Sequence, residues 1–147
     1  EIDKNRIKDA NHGIPNVSFI NADITRGDLP QADVIICFQL LHHLKSFEIQ
    51  EELIKKCIKN LNKGGKIIID EIRIDYTLRY WLTWIADYFL VPLFFEKKLY
   101  SAIFFRTVPA WKKLFEKKGL NCNIIIPKET GKPFANVIFE CTSINSI

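Results

Sequence analysis

The 147-residue sequence predicts an α/β fold with a mostly parallel sheet and an antiparallel C-terminal hairpin. Three observations predict it. Segments with helical periodicity alternate with short strand-like segments. The run Val34–Phe38 in "ADVIICF" is continuously apolar, as in parallel strands covered on both faces. Two strand-like runs close the chain, joined by the turn-rich "PKETGKP".

The elements follow in order. Asp3 predicts the N-cap of a first helix with Ile7 and Ala10 on one face and Gly13 as its stop. Val17–Asn21 reads as a short strand, and Val34–Phe38 as the next. "SFEIQEELIKKCIKNLNKGG" is the clearest helix. Ser46 caps it, Glu48, Glu51 and Glu52 lie early, and Lys55, Lys56 and Lys59 lie late, matching the helix dipole. Ile49, Leu53, Cys57 and Leu61 predict its buried stripe, and Gly64 and Gly65 its end. Lys66–Ile72 reads as a strand. Residues 76–105 form an aromatic-rich, helical insert interrupted near Pro92. In "TVPAWKKLFEKKGL", Thr107 and Pro109 open a helix, Trp111, Leu114 and Phe115 face inward, and Gly119 closes it. The final strands are placed near Cys122–Ile126 and Ala135–Thr142.

Composition excludes several classes. At 48% hydrophobic, 26% charged and 12% aromatic residues, the chain is neither disordered nor of low complexity, and its length suits one domain. The net charge of +4 is spread over scattered lysines, with no basic stripe and no (N/D)PPY-like motif after Phe38, so no nucleic-acid partner is expected. The apolar stretch Tyr80–Phe95 holds Asp87 and Pro92 and is too short for a membrane span. Cys37, Cys57, Cys122 and Cys141 show no CxxC pair and read as buried thiols of a reducing, cytoplasmic setting. No signal peptide opens the chain and no Met stands at position 1, so the sequence reads as a fragment that begins mid-protein.

In an open parallel sheet, ligands bind beyond the carboxyl ends of the strands. Glu1 and Asp3 would follow a strand ending at the chain start. Ala22 and Asp23 follow the next, Phe38 to His43 the third, and Asp70, Glu71 and Arg73 the fourth. These tips are polar and mostly acidic. They suit a ligand with hydroxyls, an exocyclic amine and positive charge, and would repel a phosphate-rich one. No Ser–His–Asp or metal constellation is evident, so no metal is expected.

The stretches "EIDKNRIKDA", "NVSFINADI", "ADVIICFQLLHHL", "LNKGGKIIIDE" and "FRTVPAWKKLFEKKGL" together resemble the class I S-adenosylmethionine-dependent methyltransferases over most of residues 1–142. The resemblance implies a Rossmann-like fold, S-adenosylmethionine as cofactor and a small-molecule acceptor. Glu1 matches the acidic residue that holds the ribose hydroxyls. Asp23 matches the acceptor from the adenine amine, with Ala22 and Ile24 flanking the ring. Phe38 and Gln39 match the turn lining the methionine part. His42 or His43, in "LLHHL", could act as the catalytic base. Residues 1–147 would then be a single, partial methyltransferase domain. Residues 76–105 would form its substrate lid, facing an apolar or aromatic acceptor or a second copy in a homodimer.

The sequence departs from the family at one point. It has six glycines and no GxGxG loop, so the N-terminal strands of the fold are expected to be missing. This chain alone is expected to bind S-adenosylmethionine weakly and to be weakly active or inactive. The alternative is a non-catalytic module that keeps the fold and acts by binding a partner.

Overall fold

A computed structural model describes residues 4–10, 15–90, 92–96, 103–128 and 135–144. The chain divides into two units, Glu1–Pro30 and Gln31–Ile147.

In the first unit, α1 spans Lys4–Ala10 and buries no residue, Ile7 being half-buried. Its expected cap Asp3 and stop Gly13 lie outside the described residues. The strand expected over Val17–Asn21 does not form. The segment has no regular secondary structure and joins no sheet among the described residues. A strand needs a neighbouring strand to pair with, so apolar residues by themselves do not make one. Val17 and Ile20 are accordingly exposed.

The second unit holds a four-stranded mixed sheet in the order β1-β2-β4-β3. β1 (Ala32–Phe38) runs parallel to β2 (Leu61–Ile72), while β2 and β3 (Leu120–Ile125) each pair antiparallel with β4 (Asn136–Ser143). The parallel pair is joined by α2 (Phe47–Lys59), the crossover that such a pair requires. Ser46 caps α2, its hydroxyl accepting from the Ile49 N–H at 3.3 Å.

Gly64 and Gly65 do not end α2, contrary to expectation. The helix stops at Lys59, and the Asn60 N–H closes it on the carbonyls of Lys56 and Cys57. The two glycines lie inside β2, where the register slips from Ala32 opposite Leu61 to Val34 opposite Lys66. Gly64 has φ of 78°, and a Cβ on Gly65 would stand 2.6 Å from the Asp33 carbonyl oxygen. Their job is to carry this irregularity, which side chains would obstruct.

The buried face of α2 is also turned from the expected stripe. Gln50, Leu53, Ile54 and Cys57 are buried, whereas Ile49 is half-buried and Leu61 has left the helix for β2. On the same face of the sheet lie α4 (Val108–Lys117), capped by Thr107, and its inward Trp111, Leu114 and Phe115. These pack with Val137 and Phe139 of β4, Phe115 meeting the Phe139 ring edge-on at 5.1 Å. Each such fully buried side chain contributes roughly 1.5–3 kcal/mol relative to exposure.

Two further expectations need correction. Within this unit β1 is covered on one face only: Val34, Ile36 and Phe38 are exposed and Cys37 is buried. Its outer edge has no neighbouring strand among the described residues. The cysteines also divide. Cys37 and Cys57 are buried free thiols, but Cys122 and Cys141 are disulfide-bonded. The β3–β4 register sets these two opposite one another with Cα atoms 4.0 Å apart, a pairing that spacing in sequence does not show.

The insert opens with α3 (Leu78–Ile85), capped by Thr77, and continues in π-helical turns at Ala86–Leu90 and Pro92–Glu96. No described helix is long and apolar enough to cross a membrane.

Candidate functional site

The site forms where β1 and β2 end side by side. Phe38 pairs with Asp70, and the Gln39 N–H donates to the Asp70 carbonyl at 2.9 Å. Gln39 then takes φ of 47°, a left-handed conformation that costs a non-glycine residue on the order of 1 kcal/mol and turns the chain off the sheet. One turn of 3-10 helix, Leu41–His43, follows at once.

This turn is fixed to β2 through Glu71. One carboxylate oxygen, Oε1, accepts from the Leu41 N–H at 2.8 Å, and Oε2 contacts His42 Nδ1 at 2.7 Å. Both side chains are buried, His42 at 0% and Glu71 at 1% exposure. A charge at that depth is tolerated because it is hydrogen-bonded on both oxygens. Further support comes from Gln50 of α2. Its amide nitrogen donates to the carbonyls of Leu41 at 3.0 Å and Phe104 at 2.7 Å, and its oxygen accepts from Arg106 Nε at 2.8 Å. The Phe104 N–H donates to the His42 carbonyl, and the Phe105 ring stacks on the imidazole at 5.1 Å.

On the opposite side of the ring stands the insert. Tyr80, Thr83 and Asp87 share one helical face, and Asp87 Oδ2 lies 3.5 Å from His42 Nε2. Neither of those two atoms has a hydrogen-bond partner among the described residues. Burial favours neutral His42, but the carboxylates of Asp87 and Glu71 outweigh it and raise the pKa from 6.5 to about 9. His43 is half-buried, its ring tilted against that of His42 with centroids 4.1 Å apart.

The residues expected at the strand tips are distributed as follows. Phe38, Gln39, His42, His43, Asp70 and Glu71 are gathered at one sheet end, with the Phe38 ring 68% exposed there. Ala22, Asp23 and Ile24 belong to the first unit. There Asp23 caps its own turn, Oδ1 accepting from the Thr25 N–H at 2.9 Å and hydroxyl at 2.6 Å, with Arg26 3.4 Å from Oδ2. Glu1 lies outside the described residues. Sequence reasoning missed Asp87 and the Gln50–Arg106 support. Asp87 carried one signal, a lone acidic residue inside an apolar stretch.

These features define an open α/β sheet with a charged, buried cluster beyond its strand ends. The family model described as a methyltransferase domain matches residues 1–119. Scoulerine-9-O-methyltransferase 3 of Papaver somniferum is 32% identical over 124 residues, which cover 80% of this chain and 34% of the relative. The chain thus spans about a third of the length of the curated relatives it matches. Among solved structures, LaPhzM aligns with a TM-score of 0.67 at 23% identity, over 95% of this chain and 38% of that one. A SAM-dependent methyltransferase of Leishmania major aligns with a TM-score of 0.69 at 17% identity, over 97% of this chain and 53% of that one.

The chain belongs to the methyltransferase-domain family. Its fold is that of the class I S-adenosylmethionine-dependent methyltransferases.

Proposed function

We propose that the protein transfers the methyl group of S-adenosylmethionine to a hydroxyl of a small apolar or aromatic acceptor, with His42 as general base. The observation that carries this reading is the buried His42–Glu71 pair at the sheet tip. The relative named as an O-methyltransferase supports oxygen as the acceptor atom.

When bound, S-adenosylmethionine supplies a methyl group already activated by its sulfonium, so the protein contributes alignment and proton removal. Glu71 accepts from His42 Nδ1–H and fixes the orientation of the ring; the carboxylates keep the imidazole protonated, so Nε2 becomes a base only once its proton has left and Asp87 has moved from it. The hydroxyl proton would pass to Nε2 as the oxygen bonds the methyl carbon and the methyl–sulfur bond breaks, its electron pair staying on the sulfur of the S-adenosylhomocysteine that leaves. The proton leaves to solvent when the acceptor site reopens. Asp87 faces the same nitrogen, so the insert yields as the acceptor enters.

For the cofactor, the exposed Phe38 ring offers an apolar surface beside the turned backbone of Gln39. Glu1, Ala22, Asp23, Ile24, Phe38 and Gln39 are the residues we assign to it, and residues 76–105 to the acceptor side. The apolar side chains that α3 and the following turns turn outward, Trp81, Leu82, Phe89 and Phe94, support contact with an apolar acceptor or a second copy.

The test is product formation by the full-length protein carrying this chain. S-adenosylmethionine labelled in its methyl group is supplied with a panel of phenols and polycyclic aromatic alcohols. Label appearing as a methyl ether is the expected result. Label on nitrogen or carbon alone, or on no acceptor, overturns the reading.

A further inference from the structure

We propose that His42 Nε2, one nitrogen of His43 and the Asp87 carboxylate form a binding site for a borderline divalent transition-metal ion, with Zn²⁺ as its probe. One ligand atom from each residue lies within 4.8 Å of the others. His42 Nε2 and Asp87 Oδ2 are 3.5 Å apart. That separation matches the edge of a tetrahedron, about 3.4 Å, built on Zn²⁺ bonds of roughly 2.0–2.1 Å.

A second observation points the same way. Nε2 belongs to a fully buried side chain and aims into the cluster, where it meets the Asp87 oxygen only as a 3.5 Å ion pair, too long for either atom to count a hydrogen bond among the described residues. A cation between the two atoms would replace that long contact with two ligand bonds. Behind the ring, Glu71 holds Nδ1 at 2.7 Å, the carboxylate–histidine arrangement that orients a metal-binding imidazole. Two nitrogens and one oxygen suit Zn²⁺ better than Mg²⁺ or Ca²⁺, which prefer all-oxygen sets. Three protein ligands leave a fourth position open.

The inference shares His42 with the proposed base, because an ion on Nε2 occupies the lone pair that would take the acceptor proton. Its test therefore uses neither cofactor nor acceptor, so either reading can fail alone. The protein is titrated with ZnCl₂ by calorimetry and with CoCl₂ by visible absorption. One ion per chain and the intense d–d bands of tetrahedral cobalt are expected. His43→Ala and Asp87→Asn should each weaken Zn²⁺ binding at least about tenfold, and Glu71→Gln about 10- to 100-fold. His12→Ala, at the third histidine of the chain, should leave it unchanged. Absence of stoichiometric binding by the wild-type protein overturns the proposal. So does wild-type affinity in both His43→Ala and Asp87→Asn. If a variant unfolds, the cobalt spectrum of the wild type decides alone.

Discussion

Two aromatic regions of this protein have similar composition and opposite fates. In α4 and β4, Trp111, Phe115 and Phe139 are at most 1% exposed, and their rings pack at 5.1 to 6.5 Å. In the insert, Trp84, Tyr88 and Phe89 also touch, Tyr88 and Phe89 at 4.8 Å. Yet Trp81 stays 48%, Phe89 47% and Phe94 68% exposed. The insert turns Tyr80, Thr83 and Asp87 inward and Trp81, Leu82, Phe89 and Phe94 outward. Ring count therefore does not measure core. What matters is the face each ring occupies, and in the insert the inward face is reserved for the charged histidine.

Stability measurements can break that contrast. Phe115→Ala should cost about 3–5 kcal/mol in denaturant unfolding, because it opens a cavity between helix and sheet. Trp81→Ala should stay within about 0.5 kcal/mol. Equal losses would show that the insert is packed as tightly as the core.

The next effect concerns the inward face. Glu71 of β2, Asp87 of the insert and the neighbouring His43 are the titratable groups around His42. Its pKa is raised to about 9 in the folded protein against an ordinary 6.5. The stabilisation is therefore complete below pH 6.5 and is lost as pH rises through about 9, on the order of 3 kcal/mol in all. Unfolding free energy measured from pH 6 to 10 in metal-free protein should fall over that window, and His42→Gln should flatten the fall. A smaller effect separates the helix from its cap. Ser46→Ala should cost about 1 kcal/mol, read as a drop in melting temperature, with the insert's tryptophan fluorescence unchanged.

Legibility in the sequence followed the range of the interactions. The starts of α2 and α4 were readable because Ser46 and Thr107 act within three residues of themselves. The inward set Trp111, Leu114 and Phe115 was readable because helical spacing alone selects it. Val17–Asn21 was misread because a strand needs a partner that its own residues cannot specify. Gly64 and Gly65 were misread because glycine marks a special backbone without saying which one. The Cys122–Cys141 bond depends on the register of two strands. At the site, the "LLHHL" turn and Glu71 could be named from strand ends. That Glu71 would take His42 rather than His43, and that Asp87 would face the other nitrogen, depends on how the turn and the insert pack.

The central claim is that His42, held by Glu71, removes the acceptor proton. Its most direct measurement is kcat of His42→Gln in the full-length protein, beside the affinity for S-adenosylhomocysteine. The account predicts a kcat lower by about 100- to 10,000-fold with that affinity kept. A kcat within a few-fold of wild type, with the protein folded, would contradict it.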